Sequence, residues 1–332
     1  MSQTVRLGLL GAARIAPKAV CAPAGVVAGV RLAGVAARDR DRAEAFAREN
    51  HIADVFDSYE SLLASDNIDL VYNALPINHH AEWTIKALKA GKHVLCEKPF
   101  AMNADEARAM LDAAKRSDRR VIEAFHYRYH PAFETCLAWL KAGRIGEITR
   151  IDAQFDVEIP DSDTEIRHLP ETGGGAMMDL GCYPLSWALN LVGDLTLVDA
   201  VAETTRRGVD ESMRARLQGE SGAWVHLTTS MAPGTPFKAE MTIAGTEGLI
   251  YFQNPLAPHN GGSLSMRRAD GSEVDQMRPV SPISTYTYQL AAVASALKTR
   301  SPLPTEGDAI LHQQSLLDGI YDAAGLRQMR YR

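Results

Sequence analysis

The chain is short of several features that would mark a protein class. It has four cysteines in 332 residues, Cys21, Cys96, Cys136 and Cys182. None stands in C-x-x-C spacing, so neither a disulfide framework nor a zinc site is expected, and the thiols are read as reduced and structural. No apolar run approaches the roughly 20 residues that cross a bilayer. The opening Met1-Ser2-Gln3-Thr4-Val5-Arg6 lacks the charged start and small-residue cleavage site of a signal peptide, so a cytoplasmic protein is expected, with no membrane partner. Positive charge is also in deficit. Lys and Arg number 35 against 41 Asp and Glu, a net charge of −6, which argues against nucleic acid as a partner.

What is present is ordinary globular material, 46% hydrophobic and 23% charged, with enough length for about two domains. In the first third, apolar runs at Val5–Leu10, Val30–Ala37, Leu70–Leu75, His93–Glu97 and Arg120–Phe125 read as strands covered on both faces. Helical spacing lies between them, as in Ala43/Phe46/Ala47 and Ala81/Ile85/Leu88, and Asn103 followed by Glu106 reads as a helix start. This alternation predicts an α/β domain with a doubly wound parallel sheet. After about residue 123 the pattern changes. Helices near Pro131–Lys141 and Cys182–Leu191 are followed by closely spaced runs from Leu195 to Arg268, several of them alternating, as Arg214/Arg216 do against Ala215/Leu217. An α+β domain over 123–332 with a large, mostly antiparallel, open-faced sheet is expected, closed by helices at Tyr286–Lys298 and Asp308–Ala324.

Between the first strand and the first helix lies Leu7-Gly8-Leu9-Leu10-Gly11-Ala12-Ala13-Arg14-Ile15-Ala16. Small residues there let the backbone approach a dinucleotide pyrophosphate. Against G-x-G-x-x-G the match is Gly11, Ala13, Ala16, a weak string strengthened by its position. The end of the second strand, where NAD-binding proteins place a ribose-binding acid, reads Ala37-Arg38-Asp39-Arg40-Asp41-Arg42. Arg38 and Arg42 suit a 2′-phosphate, so NADP(H) is preferred, with NAD(H) possible. The alternative is a solvated basic turn balanced by Asp39 and Asp41.

Two further segments bear chemistry. Glu97-Lys98-Pro99 ends a buried strand, and in parallel sheets the carboxyl ends of strands face the ligand crevice. Asp179 and Tyr183, four apart, share a helical face behind Gly173-Gly174-Gly175. The bland alternatives are a surface Glu97–Lys98 pair, a helix-capping Asp179 and a packed Tyr183. His126-x-x-x-His130 is rejected as a metal pair because Pro131 biases His130 away from helical geometry, so no metal is expected.

Together these residues resemble the glucose-fructose oxidoreductase / inositol dehydrogenase / rhizopine-catabolism family of two-domain NAD(P)-dependent oxidoreductases. Pro76-x-x-x-His80, Glu123-Ala124-Phe125-x-Tyr127-Arg128-Tyr129-His130-Pro131 and Gly143-x-Ile145-Gly146-Glu147-Ile148 extend the resemblance over nearly the whole chain. It implies a Rossmann domain over 1–122, a cofactor held between the domains, and a homodimer or homotetramer formed through the C-terminal sheet. It places Gly8, Gly11, Ala13, Arg14, Ile15, Arg38, Arg42, Leu75, Pro76, His80, Glu97, Lys98 and Arg128 along the cofactor. Lys98, Asp179 and Tyr183 are implied as catalytic residues. Tyr127, Arg167 and His168 join those three as candidate substrate contacts. Tyr183, where many relatives carry histidine, is similar to dihydrodiol and aldose dehydrogenases. The expected reaction is hydride transfer between nicotinamide and a hydroxyl or carbonyl carbon of a sugar or polyol, with Lys98 on the reacting oxygen and Tyr183 relaying the proton. Two rival functions remain open at this point, a redox-assisted glycosidase and a non-catalytic NADP(H) sensor.

Overall fold

The computed structural model describes residues 4–277 and 280–327; Met1–Gln3, read above for the lack of a leader, lie outside them. The chain divides into two compact units. The first runs to His126 and takes back Tyr286–Leu311; the second is Tyr127–Thr285 with the chain from His312 onward. The sequence pattern put one cut near residue 123 and assigned everything after it to the second domain. The structure differs because the 286–311 segment carries an apolar face that belongs to the first unit's core.

In the first unit, β1 (Val5–Leu10), β2 (Val30–Ala36), β3 (Asp54–Phe56), β4 (Leu70–Asn73), β5 (His93–Cys96) and β6 (Val121–Glu123) form one parallel sheet. Its order, β3-β2-β1-β4-β5-β6, is that of the Rossmann fold. Both faces are covered by apolar clusters, which is why these strands read as continuous hydrophobic runs. The chain between β1 and β2 forms a π-turn, Pro17–Cys21, and a short α1 (Ala22–Ala24). Then follow α2 (Arg40–Glu49), α3 (Tyr59–Ala64), α4 (His80–Lys89) and α5 (Ala104–Ser117). Side chains start three of them: Asn103 accepts from the Glu106 N–H, as the sequence suggests, and beyond that reading the Asp39 carboxylate accepts from the Arg42 N–H and Ser58 and Ser61 form a capping box. The β3–α3 segment was not expected; β3 has three residues and no alternation to betray it.

The returning segment holds most of α8 (Thr285–Thr299) and the start of α9 (Asp308–Ala323). Tyr286, Leu290, Val293 and Ala294 join the core beside Leu7, Leu9 and Val20. Arg120, just before the edge strand β6, makes a bidentate, half-buried pair with Glu306 and also donates to the Ala296 and Ser301 carbonyls. An unpaired sheet edge is thereby covered.

The second unit carries α6 (Pro131–Lys141), α7 (Cys182–Val192) and an eight-stranded sheet. Its strands are β7 (Ile148–Asp156), β8 (Leu195–Thr204), β9 (Asp210–Gly219), β10 (Trp224–Ser230), β11 (Lys238–Gly245), β12 (Gly248–Gln253), β13 (Ser263–Arg268) and β14 (Glu273–Met277), in the order β14-β13-β12-β11-β7-β10-β9-β8. All pairings are antiparallel except β7 with β10. Met213, Ala215 and Leu217 are buried and Arg214 and Arg216 exposed, as the alternation predicts. The other face carries exposed Val201 and Trp224. Among the described residues no helix is long and apolar enough to cross a membrane.

Candidate active site

At the end of β1 the backbone turns at Gly11, whose φ of +87° favours glycine and whose missing Cβ would meet the Leu75 side chain at 3.1 Å. The Gly11 N–H donates to the Ala36 carbonyl at the end of β2. Arg42 donates from its guanidinium to the Ala12 carbonyl at 2.8 Å, so it holds the glycine turn as a strut. Arg38 behaves differently: it is exposed, and among the described residues no carboxylate pairs with its guanidinium. A cleft of about 430 Å³ opens here, with Arg38, Leu75 and Pro76 brought together on its walls. Ser58, Tyr59, His79 and Trp83 also line it, with Ala37 and the acids Asp57, Glu60 and Glu82, and the sequence marked none of these as a site residue. Tyr59 and Trp83 meet edge to face at 4.8 Å, a contact across the two ends of the cleft lining that no local pattern announces. A largely apolar slot beside the Arg38 guanidinium and a close-approach glycine fits an adenosine phosphate; Ala13, Arg14 and Ile15 lie on the turn after β1, whereas Gly8 lies within β1, where a Cβ would meet Ile68 and Leu62 at 3.0 Å.

At the end of β5, three buried groups grip the turn that carries Lys98. The Tyr72 hydroxyl donates to Glu97 Oε1 at 2.6 Å, and the Lys98 N–H donates to Glu97 Oε2 at 3.2 Å. His80 sets Nδ1 toward the Pro99 and Phe100 carbonyls and Nε2 toward the Leu75 carbonyl at 2.8 Å. The ring therefore lies between the β4 and β5 loops, and in its neutral form its one N–H donates to one of them. Burial pushes this histidine down to about 4, aided by the Lys98 charge, so it is neutral at pH 7. Lys98 itself is half-buried. Glu97 and His80, expected along the cofactor, are buried and act on the Lys98 turn.

In the second unit, the three glycines let the chain approach itself. A Cβ on Gly174 would lie 2.6 Å from the Arg167 carbonyl, and one on Gly175, at φ +125°, would lie 2.0 Å from Asp210 Oδ1. Asp210 accepts from the Met177 N–H at 2.6 Å and from the Tyr321 hydroxyl at 2.7 Å. This clamp starts a π-turn, Met177–Gly181, that leads into α7 and carries Asp179. Asp179 does not cap the helix. It accepts from Arg167 Nε at 2.7 Å, while Arg167 Nη1 donates to Glu165 at 2.9 Å. Arg167 and Asp179 are thus brought together, and the mutual charge holds the guanidinium protonated. Tyr183 is only 4% exposed, its ring set among Tyr127, Phe155 and Trp187.

Three expected contacts have other work. Tyr127 is fully buried and donates to Ser186 Oγ at 2.8 Å, so it is a core residue rather than a substrate contact. His168 is buried with Nε2 on the Ile159 carbonyl at 2.7 Å, which ties down the loop behind it. Arg128 donates to Asn190 and Glu134 and lies over the Phe133 ring. His130 is extended, as Pro131 requires, and among the described residues no group of three metal-ligating side chains forms.

A Rossmann sheet with a nucleotide-sized cleft, a lysine at a strand's carboxyl end and a second unit built on an open sheet define a nucleotide-dependent oxidoreductase of two units. Residues 5–125 match the GFO/IDH/MocA model described as an oxidoreductase family with an NAD-binding Rossmann fold, and residues 133–251 match the GFO/IDH/MocA C-terminal domain. The chain belongs to the GFO/IDH/MocA oxidoreductase family. D-xylose 1-dehydrogenase (NADP(+)) 2 of Haloferax volcanii is 34% identical over 96% of both chains. A dTDP-3,4-didehydro-2,6-dideoxy-alpha-D-glucose 3-reductase of Streptomyces violaceoruber is 31% identical over 98% of this chain and 96% of that protein. Among solved structures, a 3-ketoreductase from Actinomadura kijaniata in complex with NADP and TDP-benzene superposes with a TM-score of 0.87 at 27% identity, covering 97% of this chain and 98% of the other.

Proposed function

We propose that the protein is an NADP-preferring sugar dehydrogenase or reductase, acting at a hydroxyl- or carbonyl-bearing carbon. The observation that carries this reading is Lys98, held at the carboxyl end of β5 by Glu97, in the same unit as the Arg38 cleft. The names of the relatives, an NADP⁺-linked xylose dehydrogenase and ketosugar reductases, support the same chemistry.

Bound nicotinamide supplies or receives the hydride. In this reading the Lys98 ammonium donates to the reacting oxygen and stabilises the negative charge that develops there. The Tyr183 hydroxyl delivers or removes the proton. Asp179, with one oxygen on Arg167, offers its remaining acceptor capacity to a substrate hydroxyl. Arg38 pairs with the 2′-phosphate, and Arg42 acts through the Ala12 carbonyl on the shape of the phosphate turn.

The test is a panel of aldoses, ketoses, cyclitols and dTDP-linked ketosugars with NADP(H) and NAD(H), followed at the nicotinamide absorbance. Net turnover with one sugar class is expected. Lys98→Ala and Tyr183→Phe should each lower kcat by about 100-fold or more while NADP(H) still binds. Near-native turnover of Lys98→Ala would sink the assignment, and sugar release without net nicotinamide change would assign a redox-assisted glycosidase instead.

A further inference from the structure

Glu123 is the last residue of β6, in register with Cys96 of β5, and is 4% exposed. Its amide donates to the Thr305 carbonyl at 2.9 Å, and the next amide, Ala124, donates to the Cys96 carbonyl at 2.8 Å. Its carboxyl accepts from the Phe100 N–H. Glu97, one residue beyond Cys96, turns to the opposite face of the pleat, where Tyr72 donates to it. The Lys98-Pro99-Phe100 turn is therefore gripped at both ends by carboxyls, Glu97 on the Lys98 N–H and Glu123 on the Phe100 N–H. The proposed reaction uses neither as a reacting group.

Building on the function proposed above, we propose that Glu123 is a positioning residue for Lys98: it fixes the far end of the Lys98 turn and sets, together with Glu97, how much negative charge faces the ammonium. Two buried carboxylates that feel each other's charge do not ionise independently. Burial, with a further push from Glu97, raises Glu123 to about 8, against the Phe100 N–H and the Lys98 charge, which favour its ionised form. Glu123 is therefore held mainly in its protonated form at pH 7. The other titratable groups facing this turn are His80, with Nδ1 toward the Pro99 and Phe100 carbonyls, Tyr72 on Glu97, and the Cys96 thiol, itself pushed up by burial and by both carboxyls. The 303–306 segment contributes the Thr305 backbone, and its Glu306 is engaged by Arg120.

A carboxyl whose folded value lies above its unfolded value costs stability as pH rises between the two, and the cost levels off above the folded value. Glu123→Gln keeps an acceptor for Phe100 and removes the ionisation. The melting temperature of Glu123→Gln minus that of wild type should therefore widen from about pH 5 to about pH 8 and then level. Repeated in a Lys98→Ala background, the levelling point should move to higher pH, because the ammonium that favoured ionisation is gone. In turnover, Glu123→Gln should stay within about 3-fold of wild-type kcat at pH 7 and lose any limb that wild type shows near pH 8, while Glu123→Ala should lower kcat about 10-fold with little change in KM. Melting curves that shift in parallel at every pH, or that are indifferent to the Lys98→Ala background, would overturn the proposal. The melts need no substrate, so a failure of every sugar to turn over would count against the proposed function alone.

Discussion

Arg38 and Arg42 look equivalent in the sequence, and the fold separates them. Arg42 is spent on the Ala12 carbonyl, whereas Arg38 lines the cleft with an open guanidinium. Arg38→Ala should thus raise KM for NADP⁺ by about 10- to 100-fold and leave KM for NAD⁺ nearly unchanged, since a charge-assisted contact is worth roughly 1.5–3 kcal/mol. Arg42→Ala should weaken both cofactors, because it loosens the turn that either would use. The places of Lys98 and Arg38 at strand ends were legible because parallel-sheet topology alone fixes where a strand's carboxyl end faces. Tyr59 and Trp83 were not, because their meeting depends on a three-residue strand and a tertiary contact with no sequence period. His80 was legible as a position but not as a ring set between two loops. With His93 it gives a further prediction: burial holds both near 4, well below the usual histidine value. For groups depressed on folding, stability is complete above the unfolded value and is lost as pH falls toward the folded one. Thermal melts should therefore drop between about pH 6.5 and about pH 4, and His93→Asn, which can still present an acceptor near the Arg120 N–H, should flatten part of that drop.

At the scale of elements, the glycine run shows where reading from the sequence stops. Three successive glycines signal close backbone approach, and a ligand was the obvious visitor. The visitor is the chain itself, the Arg167 carbonyl at Gly174 and the Asp210 carboxylate at Gly175. Asp210 stands 31 residues after Asp179 on a separate strand, so no spacing rule connects it to the π-turn it starts. Gly175→Ala combines an unfavourable φ with a clash and should cost about 3 kcal/mol or more. Asp210→Asn turns one acceptor into a donor facing a donor and should cost about 2 kcal/mol. Urea titration of each variant checks both, and an unchanged midpoint would show that the clamp does not hold the turn. The one-sided alternation of β9 and β10, by contrast, was readable because one face of that sheet is buried and the other is not.

At the scale of the molecule, the sequence grammar distinguished a parallel from an antiparallel half but could not show that α8 serves the first of them. Helical periodicity tells that a helix has an apolar face, not which core it fills. Tyr286, Leu290 and Val293 complete the cluster that also holds Leu7 and Leu9, and Glu306 occupies Arg120. A fragment ending at His126 should therefore aggregate or melt without a cooperative transition, whereas adding residues 286–311 as a separate peptide should restore cooperativity, as calorimetry would report. The same return has a bearing on biosynthesis. The nucleotide-binding half contains β1, yet its last core helix is synthesised only after the whole open sheet that lies between them in the chain. Leu7 and Tyr286 share one core cluster although they stand 279 positions apart in the chain, so this half carries the slow, long-range part of folding, and its β6 edge must wait for Glu306 before Arg120 is neutralised.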